Sequence, residues 1–210
     1  MTLPRLYAIL DVDICAASGQ RALDVVHAWL AAGVRLMQLR AKSMPTGKFL
    51  DLAEALSAAV SPAGAMLIVN DRADVARLAG ASGVHVGQGD LSPADARGVV
   101  GPSAVVGLST HTPEQARQAL AEPVDYVAIG PVFSTSSKER PDSVVGLDGV
   151  RETRAIMPLS GRPIVAIGGI TLEHAPSVVE AGADSVAVIS DLLAAGDPGA
   201  RARAFLKALA

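Results

Sequence analysis

The chain has 210 residues, half of them hydrophobic but only 3% aromatic, and carries a formal net charge of -3. That length suffices for one domain with a large core made from Ala, Val, Leu and Ile. The acidic balance excludes the positive footprint of a nucleic-acid binder. Cys15 is the single cysteine, so no internal disulfide forms. The opening Met1-Thr2-Leu3-Pro4-Arg5-Leu6 lacks a basic stretch followed by a sustained apolar one, and no uncharged apolar run is long enough to span a bilayer. A cytoplasmic protein is expected, without nucleic-acid or membrane partners; oligomeric state is not legible.

Taken in chain order, short apolar runs predict strands over Leu6–Asp11, Val34–Arg40, Met66–Asn70, Gly83–Val86, Ala104–Leu108, Tyr126–Gly130, Pro163–Ile167 and Ser185–Ile189. Runs this short and this apolar suit strands covered on both faces, as in a parallel sheet wrapped by helices. Helical spacing follows over Arg21–Ala32, Thr46–Val60, Ala73–Ala79, Thr112–Leu120, Leu147–Met157, Leu172–Ala181 and Pro198–Leu209. Ser92-Pro93, Thr112-Pro113 and Asp197-Pro198 each put a cap residue before a first-turn proline. Gly33, Gly80 and Gly182 stand where helices should stop. The strand–helix unit returns about every 26 residues. Eight such units predict an α/β fold, a (β/α)8 TIM barrel forming a single domain over residues 1–210. The longest unpatterned stretch, Ser134–Val145, is expected to be a functional lid.

In such barrels ligands bind where the strands end, so the polar and glycine clusters there are the candidate chemistry. Gln38, Arg40 and Lys42 are spaced two apart. They share one strand face, with Leu39 and Ala41 on the other. Two cations on an inward face call for an anion, and Arg and Lys suit phosphate oxygens; a solvated strand end is the bland alternative. Asp71 and Asp90 end the next two strands and together suit a Mg²⁺ ion bridging to a substrate phosphate, although each could simply cap a helix. Gly168-Gly169 and Ser190-Asp191 end the last two strands, the common place for a monophosphate in this architecture, or a tight turn that needs glycine. Thr135-Ser136-Ser137-Lys138 supplies hydroxyls and a cation on the long loop, suited to closing over a phosphate group or equally to a polar solvated loop. His85, inside an apolar strand, reads as a hydrogen-bonded structural histidine, and Cys15 as a small hydrophobe. Ser109 and His111 lie two apart without a nucleophile-elbow pattern, so a triad is not expected. The layout is that of a diphosphate-like region with a metal and a separate monophosphate region.

These clusters, in this order, resemble the thiamine-phosphate synthase family, over Leu6 to about Leu193. The residues that carry the resemblance are Gln38-Leu39-Arg40-Ala41-Lys42, Asn70-Asp71-Arg72 with Asp74, Gly83-Val84-His85-Val86-Gly87-Gln88 with Asp90, Gly107 to Thr112, and Ile167-Gly168-Gly169-Ile170. The resemblance implies a transferase that joins hydroxymethylpyrimidine diphosphate to hydroxyethylthiazole phosphate, or its carboxylated form. Diphosphate is released and thiamine phosphate formed, with Mg²⁺ as cofactor. It implies that Gln38, Arg40, Lys42, Asn70, Ser109 and Lys138 take the pyrimidine diphosphate, with Leu39 and Ala41 in the same binding segment. Asp71 and Asp90 match the metal ligands, and Thr135, Ser136, Ser137, Gly169, Ile189 and Ser190 the thiazole phosphate site. Arg40, Lys42, Ser109 and Lys138 would act on the leaving group. The chain departs from the family at Ser137, often threonine, and at Ala41, often acidic. Two rivals stand beside this reading: a thiazole tautomerase of the same fold using His111, and a non-catalytic phosphate-binding barrel.

Overall fold

The computed structural model describes residues 1–135, 143–157, 161–193 and 196–210. Eight parallel strands pair in sequence order and close on themselves: β1 (Leu6–Asp11), β2 (Leu36–Arg40), β3 (Met66–Asn70), β4 (Gly83–Val86), β5 (Val105–Thr110), β6 (Tyr126–Ile129), β7 (Ile164–Ile167) and β8 (Ser185–Val188). Around them run α1 (Val12–Ala17), α2 (Ala22–Ala32), α3 (Thr46–Val60), α4 (Ala73–Leu78), α5 (Pro93–Val100), α6 (Pro113–Gln118), α7 (Gly146–Ile156), α8 (Ala175–Glu180), α9 (Ser190–Leu193) and α10 (Pro198–Ala208). This is the (β/α)8 barrel expected from the eight apolar runs. Among the described residues no helix is long and apolar enough to cross a membrane.

The strand period of two splits the core into two bodies. Leu10, Met37, Leu39, Ala41, Val69, Val84, Val86, Val127 and Val186 point outward and pack under the helices with Trp29, Phe49 and Phe205. Tyr7, Ile9, Leu36, Ile68, Tyr126, Ala128, Val165 and Ala187 point inward and fill the barrel. Each aliphatic side chain so buried contributes roughly 1.5–3 kcal/mol.

Caps fix the helix starts as anticipated. Ser92, Thr112 and Asp197 accept the backbone N–H groups of Asp95, Gln115 and Ala200. The differences from expectation are local. Val34 donates its N–H to Trp29 beside Gly33, which donates to Leu30, so Val34 finishes the stop of α2 and the strand starts at Leu36. β5 runs on through Ser109 and Thr110 because both still pair with Ala128 and Ile129 of β6. α8 starts at Ala175 rather than Leu172, with Pro176 in its first turn. α1 has no counterpart in the expectation. It exists because Asp11, the last residue of β1, turns its Oδ1 onto the N–H groups of Asp13 and Ile14, each at 3.1 Å.

Candidate active site

Polar side chains on inward positions form one connected chain across the barrel. Gln38 Nε2 donates to Tyr7 Oη at 2.9 Å, and the two tyrosine hydroxyls meet at 3.0 Å. Tyr126 Oη lies 2.9 Å from His85 Nδ1, and His85 Nε2 lies 2.8 Å from Ser109 Oγ. Burial pushes both tyrosine hydroxyls well above their ordinary range, so they remain protonated donors. The Tyr7 ring meets Tyr126 edge-on, whereas His85 stacks on Tyr126 with a centroid separation of 5.5 Å. Gly107, register partner of Tyr126, makes the arrangement possible: a Cβ there would fall 2.1 Å from Cζ of the tyrosine. His85 is thus the structural, hydrogen-bonded histidine its apolar strand suggested.

Charge gathers at the ends of β1 to β4. Arg40 is ion-paired with Asp11, its partner in the β1–β2 register, and both side chains are largely buried. Asp11 therefore caps α1 with one oxygen and neutralises Arg40 with the other. This changes the expectation for the inward cations, because one already has a protein anion. Lys42 lies beyond the end of β2, is more than half exposed, and reaches Asp71 at 3.8 Å. It is not on the strand face shared by Gln38 and Arg40. Asp71 holds φ +63°, with its N–H on the carbonyl of His85 at 2.8 Å. Asparagine and aspartate tolerate that left-handed geometry better than other residues with a side chain.

The Asp71 carboxyl is pushed up to about 6, first by burial and then by Asp90, which lies within hydrogen-bonding reach; Lys42 and Arg40 offset part of this. Asp90 also accepts the Gly87 N–H at 2.7 Å. Two carboxylates within reach of one another, beside the cations Lys42 and Arg40, are a donor set that fits Mg²⁺. Among the described residues no larger cluster of metal-ligating side chains occurs. Arg72 is engaged elsewhere, with Asp74 at 2.6 Å and Thr46 at 3.1 Å.

The ends of β7 and β8 are built differently. Gly168 and Gly169 both hold positive φ, 102° and 64°. The segment after β6 lies directly against them: Val132 and Phe133 donate to the carbonyls of Ile167 and Gly168, each at 2.9 Å. A Cβ on Gly169 would sit 2.4 Å from the Ser134 carbonyl oxygen. Ser134, Thr135, Gly168, Gly169, Ile189, Ser190 and Asp191 line the resulting cavity. Behind it, Asp191 accepts the Leu172 N–H at 2.8 Å and both its oxygens take Arg201 Nη2, at 2.7 and 2.8 Å. The two loops are thereby tied to each other and to α10.

Between the two ends, a central cavity is lined by Gln38, Arg40, Asn70, Ser109, Thr135 and Ile189, together with Tyr7, His85 and His111. Lys42 and Asp71 flank it in a neighbouring cleft with Asn70 and Ala41. Leu39 is buried in the layer under the helices, so only its backbone lies along the strand end. Ser136, Ser137 and Lys138 lie outside the described residues. His111 turns Nδ1 to the Gly130 carbonyl at 2.8 Å and its backbone N–H to Gln115 at 2.7 Å. Asp11, Tyr7 and Tyr126 were not singled out from the sequence. The signal available for them was parity: Tyr7 and Tyr126 sit on inward positions of their strands, and Asp11 is the register partner of Arg40.

The family model described as Thiamine monophosphate synthase matches residues 6–192. A thiamine-phosphate synthase of Koribacter versatilis is 51% identical over all of this chain and 97% of its own length. One from Moorella thermoacetica is 40% identical over 94% of this chain and 92% of its own. Among solved structures, a thiamine phosphate pyrophosphorylase from Pyrococcus furiosus superposes with a TM-score of 0.85 at 30% identity, over 98% of this chain and 95% of that one. The chain belongs to the thiamine monophosphate synthase family, transferases of thiamine biosynthesis.

Proposed function

We propose that the protein condenses hydroxymethylpyrimidine diphosphate with hydroxyethylthiazole phosphate, or its carboxylated form, releasing diphosphate and forming thiamine phosphate with Mg²⁺ bound at Asp71 and Asp90. The observation that carries this reading is the two-ended cavity. One end offers Arg40, Lys42 and two carboxylates, and the other offers glycine-rich backbone beside Ser190. A diphosphate with its metal suits the first end, and a monophosphate held largely by backbone suits the second. A bound Mg²⁺ would supply charge to stabilise the departing diphosphate.

The bond order follows. The carbon–oxygen bond to the diphosphate breaks, the electron pair leaves with the diphosphate, and the methylene carbon becomes cationic. The thiazole nitrogen then gives its lone pair to that carbon. Arg40 and Lys42 answer charge on the leaving group, joined by Lys138 as the family resemblance implies. Ser109 donates a hydrogen bond to the same group. The second end holds the thiazole in line through its phosphate, which converts attack into a step within one complex. No side-chain nucleophile or general base is required, consistent with Ser109 and His85 belonging to an internal hydrogen-bond chain.

The test is direct. Purified protein with both substrates and Mg²⁺ should yield equimolar thiamine phosphate and diphosphate by mass spectrometry, and EDTA should abolish both. Failure to form product, with conversion of a thiazole tautomer instead, would overturn the synthase reading and make His111 the residue to mutate.

A further inference from the structure

We propose that Tyr7, Tyr126 and His85 form a one-way hydrogen-bond relay that couples the orientation of the Gln38 amide to that of the Ser109 hydroxyl. The two ends of the pyrimidine diphosphate would then be recognised together. The inference rests on the synthase reading for the identity of the ligand, but not for the direction of the relay.

The direction follows from counting protons. Gln38 Nε2 donates to Tyr7 Oη, so the single Tyr7 proton is left for Tyr126 Oη. Tyr126, now accepting, gives its own proton to His85 Nδ1. A neutral imidazole that accepts at Nδ1 must carry its proton on Nε2, and that proton faces Ser109 Oγ. Ser109 accepts from His85 and is left with its own proton to donate. Both outer ends then face the central cavity that Gln38 and Ser109 line: an amide oxygen that accepts, and a hydroxyl that donates.

The complementary ligand has an N–H donor on its ring at the Gln38 end and an anionic oxygen at the Ser109 end. A pyrimidine bearing an exocyclic amine and a diphosphate meets both requirements. An oxo-substituted ring would ask Gln38 to turn its Nε2 outward and its oxygen towards Tyr7. Tyr7 would then donate to Gln38, every later bond would reverse, and Ser109 would donate to His85 instead of to the diphosphate. Discrimination at the ring would thus act on the leaving group, at the far end of a chain buried throughout most of its length. Tyr7, Tyr126 and His85 are positioning residues in this scheme; they act through Gln38 and Ser109.

Two measurements on the full chain test it. Nitrogen NMR of 15N-histidine protein, at about pH 8 where imidazole is neutral, should find His85 as the Nε2–H tautomer. The Nδ1–H tautomer would overturn the relay. Turnover of the amino pyrimidine diphosphate and its oxo counterpart should then be compared in wild type, Tyr126→Phe and Tyr7→Phe. Breaking the chain should shrink the amino-over-oxo preference in kcat/KM by about tenfold, from loss of one oriented hydrogen bond. The KM for thiazole phosphate should stay unchanged. An unaltered preference in both folded variants would overturn the coupling. A wild-type protein inactive on both pyrimidines would overturn the synthase reading and the coupling with it, whereas the tautomer is read without any turnover.

Discussion

The two ends of the cavity, each proposed to hold an oxyanion, are built from different materials. The β1–β4 end uses charged side chains paired with one another: Arg40 with Asp11, Lys42 with Asp71. The β7–β8 end uses two left-handed glycines, Gly168 and Gly169, against which the segment after β6 packs, braced by Asp191. The first should respond to changes of charge at constant shape, and the second to changes of shape at constant charge. Substitutions that violate this division are the quickest way to break the comparison.

The largest effect is expected from Asp71→Ala. Removal of one of the two carboxylates proposed to hold the metal should lower kcat by about a thousandfold or more in Mg²⁺ buffer and abolish the heat of Mg²⁺ binding in calorimetry with diphosphate present. Full activity would remove Asp71 from the metal site. Next comes Gly169→Ala. The added methyl would meet the Ser134 carbonyl at 2.4 Å from a backbone at φ +64°. The KM for thiazole phosphate should rise by about tenfold or more, with the KM for the pyrimidine diphosphate held within about twofold. Equal effects on both would mean that the ends are not separate sites.

Asp11→Asn keeps the shape and an oxygen to cap α1 but leaves Arg40 without its anion. Urea unfolding should show a loss of about 2–4 kcal/mol, and added diphosphate should restore part of it. The smallest effect concerns the proton on Asp71. Its folded value of about 6 lies above the ordinary carboxyl value of 3.8. The folded state therefore binds the proton more tightly than the unfolded one, and this group's stabilising contribution is full below about 4 and lost as pH rises through 6. Asp71→Asn should consequently raise the melting temperature relative to wild type at neutral pH more than at pH 4. The difference should correspond to roughly 1 kcal/mol once solvent screening is allowed for. Without any such pH dependence, the crowding of Asp71 by burial and Asp90 would be refuted.

Much of the barrel was legible because a parallel strand covered on both faces has to be apolar along its length, and so contrasts with its polar end. The strand limits failed where local chemistry overrode that contrast. Val34 is as apolar as any strand residue but serves the helix stop, and Ser109 and Thr110 are polar but still paired. The same contrast made the ends of β2, β3, β4, β7 and β8 stand out as candidate chemistry. It hid Tyr7 and Tyr126, the only two tyrosines of the chain, because an aromatic in an apolar run reads as core. It hid the Asp11–Arg40 pair too, since residues 29 positions apart are brought together only by the β1–β2 register. Gln38, Arg40, Asn70 and Ser109 were found singly from sequence. What needed coordinates was the wiring between them.

Arg201 extends the functional part of the molecule to a place where nothing in the sequence pattern marks it. It stands on α10, grips Asp191 at the end of β8, and through that carboxylate reaches the Leu172 N–H beyond β7. The same helix packs against α2 near the start of the chain. The last helix is thus a buttress under the β7–β8 end of the cavity, and it leans on the first quarter of the fold. A change at Arg201 alone would be felt at that end of the cavity, whereas trimming α10 would also take Phe205 out of the core and be felt as unfolding.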